Sequence, residues 1–283
     1  MCSKDDGPGP DAARRAFLAG SLGVAIGSIG PAFAQTGAAP SAPPPPTRVL
    51  DDPGAVHGPV TFTHNGQPTI GGYLARPARD GVFPAVLVIA GNRISEEYIP
   101  NTCAALALAG FVGLAPDIFH ILPETARTLD EMRAAGANHN DNDVIHDIHA
   151  GIDHLRTLPF VRRGGIGAVG FCYGGRIAML LGARSREVDA VVAYHPGAVT
   201  DEEIVRLAGP VQVHIGTADT NVSVEAIRAL EAMLAARRVP KEVHFYEGAQ
   251  HGFLAYTRPP RYDPDAGALS WQRTVAFLRR SLA

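Results

Sequence analysis

The sequence predicts an α/β fold in which a mostly parallel sheet carries helices on both faces. Three features predict it. Short, unbroken apolar runs such as Ala85-Val86-Leu87-Val88-Ile89-Ala90 read as strands buried on both sides. These runs alternate with segments of helical periodicity, as repeated βα units do. One run, Ile166 to Val169, enters a helical segment at Arg176 through the Gly-rich turn Gly170-Phe171-Cys172-Tyr173-Gly174-Gly175.

The elements follow in order. Residues 1–34 read as an export signal: Arg14-Arg15 precedes an apolar, Gly-rich segment from Leu18 to Ile29 and an Ala32-Phe33-Ala34 cleavage site. The expected product begins near Gln35, is exported by the twin-arginine machinery and resides in the periplasm. A retained membrane anchor is the alternative, but the segment is short and Gly-rich for a span. Cys2 lies in the removed part and is given no role. Residues 35–50, with Pro-Ser-Ala-Pro-Pro-Pro-Pro, read as a proline-rich linker, and 51–283 as the catalytic domain. Val60–His64, the Asn65-Gly66 turn and Thr69–Ala75 read as an edge hairpin. Strand Ala85–Ala90 leads to a helix over Ile99–Ala109, which Gly110 ends, and Phe111–Ala115 is the next strand. His120 to Asn142 is polar and irregular, with a short helix expected near Ala126–Ala135. Val144, Ile148, Ile152 and Leu155 then mark an amphipathic helix from Asp143 to Leu158. Further strands are expected at 165–170, 188–194, 211–215 and 241–246. Helices are expected after the Gly-rich turn and over 202–207, 224–238 and 266–281.

Composition narrows the function. A chain of 283 residues with 46% hydrophobic and 19% charged residues is an ordinary globular protein. A net charge of −3 without a basic tract gives no electrostatic footing for nucleic acid or for stable membrane association after cleavage. Cys103 and Cys172 remain in the mature chain. They fall in separate βα units, so no disulfide is expected; Cys103 reads as a buried apolar residue and Cys172 as a free thiol.

The Gly-rich turn has the form of a nucleophile elbow, Gly-x-nucleophile-x-Gly, with Cys172 in the nucleophile position. Such a turn strains the backbone and tolerates little beside it except Gly. It aims the thiol at a helix N-terminus, which favours thiolate. Downstream, Asp219 ends the strand and turn Val211 to Ala218, and His251 lies in Gly248-Ala249-Gln250-His251-Gly252-Phe253 after another strand. Nucleophile, acid, histidine is the α/β-hydrolase order. Cys172 is the expected nucleophile, His251 the proton carrier and Asp219 the residue that fixes its tautomer; a helix-capping Asp219 is the alternative. Arg93 is a candidate ligand for a substrate carboxylate and Arg176 a weaker one; Tyr194 and His195 are candidate pocket residues at a strand end. His139, Asp141, Asp143, His146, Asp147 and His149 suggest a metal cluster, but a solvated loop entering a helix N-terminus explains them as well. The chemistry needs neither metal nor cofactor.

From Pro84 to the end, about seven tenths of the chain, the sequence resembles the dienelactone hydrolase family. Gly170–Gly175, Ala193-Tyr194-His195-Pro196-Gly197 and Gly248–Phe253 carry the resemblance, with Arg261-Tyr262-Asp263 and Trp271-Gln272-Arg273-Thr274. It implies an α/β-hydrolase fold and hydrolysis of a small ester or lactone by a Cys-His-Asp triad through a thioester. It also implies an oxyanion hole made by the backbone N–H groups of Tyr173 and Asn92. Gly91 stands where family members commonly carry a Glu that interacts with the resting thiol; Glu96 and Glu97 follow in the same loop. A thiolate assisted by His251 alone is the simpler expectation. Two rivals use the same residues: a catalytically weak lactone-binding protein, and a thiol oxidoreductase, against which the lack of a C-x-x-C pair argues.

The export reading has a direct test. In cells expressing the Arg14→Lys, Arg15→Lys double variant, mature protein should vanish from the periplasmic fraction. Unchanged periplasmic protein contradicts the reading.

Overall fold

The computed structural model describes residues 47–283, apart from 64–68, 124–130, 132–139 and 208. The export signal, most of the linker, the Asn65-Gly66 turn, almost all of the expected helix near 126–135, and His139 therefore lie outside the described residues. Eight strands form one sheet: β1 (Ala55–Phe62), β2 (Ile70–Pro77), β3 (Ala85–Ile89), β4 (Val112–Pro116), β5 (Ile166–Phe171), β6 (Val188–Tyr194), β7 (Val211–Gly216) and β8 (Lys241–Tyr246). Their spatial order is β1-β2-β4-β3-β5-β6-β7-β8. The β1–β2 and β2–β4 pairs are antiparallel and the rest of the sheet is parallel. This is the architecture of an α/β-hydrolase fold.

Alternation along the strands sorts the core into two layers. Ala85, Leu87 and Ile89 of β3 pack on one face, and Val86 and Val88 on the other. Among the described residues the helices are α1 (Tyr98–Leu108), α2 (Asp141–Thr157), α3 (Tyr173–Arg184), α4 (Val224–Ala236) and α5 (Pro264–Ser281). Residues of α2, α3 and α4 cover the first face: Ile148, Ile177 and Leu230 belong to that cluster. Residues of α1 and α5, among them Ile99, Leu106, Trp271 and Leu278, cover the second. Each fully buried aliphatic side chain contributes roughly 1.5–3 kcal/mol, so these two layers fix the sheet on which the loops stand.

Local signals set the helix ends. Helix α1 stops in a Schellman turn: Gly110 has φ +95°, its N–H bonds Ala107 O, and Phe111 N–H bonds Leu106 O at 3.0 Å. Asn140 caps α2 in a capping box with Asp143, so that helix starts two residues before the periodic pattern does. Asp263 caps α5, whose first residue is Pro264, again ahead of the apolar periodicity. Among the described helices none is long and apolar enough to cross a membrane.

Three expectations need correction. Strand β1 begins at Ala55, five residues before the expected start. The strand runs through Gly58-Pro59 because β1 lies at the sheet edge, where proline costs no ladder bond. The segment 202–207 makes turns rather than a helix; Thr200 N–H bonds the Glu203 carboxylate at 2.8 Å, and Glu203 N–H bonds Thr200 Oγ1 at 3.3 Å. Residues 47–50 are fastened to the domain rather than extended as linker: the buried Asn101 accepts from Val49 N–H at 2.6 Å and donates to Thr47 O at 2.9 Å. Cys103 is free and fully buried on α1, as expected; burial pushes its thiol pKa up.

Strands β3 and β5 are neighbours, yet the chain continues from β3 to β4 on one side and from β5 to β6 on the other. Their carboxyl ends form the topological switch point, where a crevice opens in open α/β sheets. Close backbone packing holds this point. A Cβ on Gly174 would lie 2.1 Å from Ile89 O, and one on Gly170 would lie 2.0 Å from Gly174 O. Gly174→Ala should therefore lower unfolding stability by more than about 2 kcal/mol in urea melts. Gly58→Ala, where a Cβ meets nothing within 4 Å, should stay within about 0.5 kcal/mol. Equal stability of the two variants contradicts this packing.

Candidate active site

Cys172 sits between β5 and α3 with φ +54° and ψ −116°, a conformation that costs a non-Gly residue energy. The surrounding bonds hold it there. Cys172 N–H donates to Tyr194 O at 3.0 Å, and Cys172 O accepts from Gly175 and Arg176 N–H at 3.0 and 3.2 Å. The first N–H of α3, from Tyr173, faces the sulfur and favours its anion.

His251 leaves β8 in the loop before α5, and its Nδ1 bonds Asp219 Oδ2 at 2.8 Å. The other carboxylate oxygen of Asp219 accepts from Asn221 and Val222 N–H at 2.7 and 2.9 Å. Asp219 is thus oriented within its own turn. It does not cap α4; Ser223 does, accepting from Ala226 N–H at 3.1 Å. The opposite side of the His251 ring faces Cys172. Burial alone pushes the Cys172 thiol up, but the hydrogen bond and charge of His251 outweigh it and bring the net shift down. Burial disfavours charge on His251 too. Its bonds to Asp219 and Cys172 win and raise its pKa to about 9. Asp219 is lowered: burial raises it, and the bond from His251 with the two backbone N–H groups overcomes this. The arrangement favours negative charge on the sulfur and positive charge on the imidazole, with the Asp219 carboxylate behind the ring.

A cavity of about 250 Å³ opens over Cys172. Gly91 and Asn92, following β3, form one wall, and His195 and His251 form another. A Cβ on Gly91 would lie 2.5 Å from Phe171 O and 2.9 Å from Cys172 Cβ. No side chain fits at position 91, which accounts for the glycine there. Glu96 does line the cavity, but Arg258 holds it with bonds of 2.7 and 2.6 Å, and Asn92 Nδ2 adds one of 3.0 Å. Glu97 turns outward to Tyr256 and Arg48.

Two expected pocket residues lie elsewhere. Arg93 is not among the cavity residues; its guanidinium donates to Leu122 O at 3.3 Å and to Pro123 O. Tyr194, the last residue of β6, points into the second core layer and bonds Thr274 Oγ1 at 2.8 Å. His195, one residue on, has φ +35° and turns into the cavity, its ring centroid 4.1 Å from that of His251. Burial and the charge of His251 lower its pKa to about 3, so it stays neutral. Arg176 is committed to Asp141 at 2.7 Å and Glu203 at 2.6 Å. The candidate metal cluster is split among separate partners: Asp143 in the α2 cap, Asp147 to His120 at 3.0 Å and His149 to Glu187 at 3.2 Å. Sequence reasoning gave no role to Arg258 and Arg261, the cationic residues of this cavity. Arg258 lies in a turn-rich loop without periodicity, and only a resemblance at Arg261-Tyr262-Asp263 pointed to that region.

Comparison with known proteins identifies the family. The model of the "Dienelactone hydrolase family" matches residues 70–282. A Synechocystis sp. protein, provisionally named a carboxymethylenebutenolidase, is 27% identical over 75% of this chain and 92% of its own. A Bradyrhizobium sp. protein named "Probable 2-oxo-3-(5-oxofuran-2-ylidene)propanoate lactonase" is 29% identical over 73% of this chain and 88% of its own. Among solved structures, a provisionally assigned dienelactone hydrolase from Klebsiella pneumoniae superposes with a TM-score of 0.71 at 24% identity. It covers 80% of this chain and 99% of its own.

These shifts predict a Cys172–His251 ion pair at pH values above the lowered pKa of Cys172 and below about 9. Alkylation of Cys172 by iodoacetamide, followed against pH, should reach half its plateau below the free-thiol value of about 8.5. His251→Ala should move that midpoint upward. A midpoint at or above the free-thiol value in the unmodified protein contradicts the pair.

Proposed function

The chain belongs to the dienelactone hydrolase family, and from that premise we propose that it hydrolyses small carboxylic esters or lactones through a thioester on Cys172. The observation that carries this reading is the alignment of Asp219, His251 and Cys172, with His251 and Cys172 lining the cavity and Asp219 buried behind the imidazole.

The Cys172 thiolate attacks the substrate carbonyl. The N–H groups of Tyr173 and Asn92 receive the negative charge on the carbonyl oxygen, a contribution of about 3 kcal/mol per donor in comparable sites. His251 gives its proton to the leaving alkoxide. Now neutral, it takes a proton from water, and the hydroxide cleaves the thioester. Asp219 keeps the Nδ1–H tautomer throughout, so that Nε2 does the transfer. The resting thiol needs no carboxylate beside it, because position 91 has no room for one and His251 already stabilises the anion. Arg258 and Arg261 favour a substrate bearing a carboxylate, which competes with Glu96 for Arg258. The cavity of about 250 Å³ suits a compact acyl group or small ring. We place this activity in the periplasm, after twin-arginine export.

Cys172→Ala should fold normally, since the side chain is small and half-buried and losing its sulfur costs little packing. Its kcat toward p-nitrophenyl acetate should fall by at least about a thousandfold. More than about a tenth of the original kcat in that variant contradicts the nucleophile assignment.

A further inference from the structure

We propose that Cys172, His195 and His251 also form a three-ligand site for a soft divalent cation, Zn²⁺ foremost, whose binding sequesters the nucleophile. The sulfur of Cys172 and one ring nitrogen from each histidine lie within 4.8 Å of one another. The triad explains two of these residues and leaves His195 without a task. His195 is 3% exposed, its Nδ1 has no hydrogen-bond partner, and the residue lines the cavity. An unpaired buried ring nitrogen costs about 1–3 kcal/mol, and the backbone here is held at φ +35° besides. Its N–H bond to His214 O at 2.7 Å anchors that strained position.

The donor set and its support suit zinc. Thiolate with two imidazoles selects Zn²⁺ over Mg²⁺ or Ca²⁺, which prefer oxygen. Zn–N and Zn–S bonds of about 2.0–2.3 Å place tetrahedral donors about 3.5 Å apart. Closing the remaining distance takes side-chain rotation at the site, where Cys172 is only half-buried. His251 already donates through Nδ1 to a buried carboxylate, the arrangement that orients a zinc-binding imidazole. The cavity leaves the fourth position to water. On binding, the ion takes lone pairs from the thiolate and both imidazoles, and the proton of the Cys172–His251 pair passes to solvent. No other reactant is needed, and a chelator reverses the step. The inference extends the proposed function to regulation of the same site; the binding itself does not depend on esterase activity.

The test uses the mature, chelator-stripped protein with Zn²⁺ or Co²⁺ alone. Calorimetry should give one Zn²⁺ per chain, and Co²⁺ should show a thiolate-to-metal charge-transfer band. Stoichiometric Zn²⁺ should block alkylation of Cys172, and EDTA should restore it. Cys172→Ser should abolish the band, and His195→Phe should weaken Zn²⁺ binding by about tenfold or more. If either variant melts early, His195→Gln, which keeps a polar side chain, supplies the same comparison. Equal Zn²⁺ affinity in the unmodified protein and Cys172→Ser, or undiminished affinity in the His195 variants, overturns the proposal. Ester hydrolysis without zinc binding sinks this proposal alone; zinc binding without hydrolysis sinks only the function proposed above.

Discussion

Close backbone contact between the end of β3 and the turn after β5 is the constraint on which the site depends. Gly170, Gly174 and Gly91 each occupy positions where a Cβ would overlap a neighbouring carbonyl oxygen. Because these segments touch, Cys172 is forced to φ +54°, its sulfur lies against the first N–H of α3, and the Gly91–Asn92 loop closes over it. The same contact removes any side chain from position 91. A carboxylate from position 91 is therefore excluded by packing, and the charge balance at sulfur passes to His251. The strain is tolerated because β3 and β5 are buried on both faces and paired in parallel register.

Support for His251 comes from a separate part of the sheet. Asp219 is fixed by two backbone N–H groups of its own turn, so its remaining lone pairs face the imidazole. Beneath the site a column of rings crosses the strands: Phe171 lies 5.1 Å from Tyr194, which lies 4.4 Å from His214. Tyr194 and His214 reach hydroxyl partners in Thr274 and Tyr246, at 2.8 Å each, so this floor is polar yet satisfied. His195 is the exception, a buried ring 4.1 Å from that of His251 with an unpaired nitrogen. That mismatch is what sets it apart from the floor below.

The sheet was readable because its central strands β3 and β5 are unbroken apolar runs, and β6 and β8 match the expected bounds to the residue. What escaped was decided by neighbours rather than by local sequence. The extension of β1 through Gly58-Pro59 depends on its edge position, which the strand's own residues do not reveal. Cys172, Asp219 and His251 were identifiable because each follows a strand in a recognisable order, and the fold brings them together. Tyr194 and His195 are adjacent, so sequence could not separate them; strand alternation sends one into the core, and a left-handed turn sends the other to the cavity. Arg93 is close to Cys172 through its neighbours, yet its side chain answers to carbonyl groups of residues 122 and 123. Arg258 takes the cationic place in the cavity from a loop with no periodic signal.

The central claim is that Cys172 carries the acyl group during turnover. Mixing the mature protein with excess p-nitrophenyl acetate, quenching in acid within the first turnovers and mapping peptides by mass spectrometry tests it directly. The expected result is one acetyl group per chain, on the peptide containing Cys172, that is released by hydroxylamine and decays as substrate is exhausted. Turnover with no acetyl group on Cys172, or with one on another side chain, contradicts a thioester mechanism.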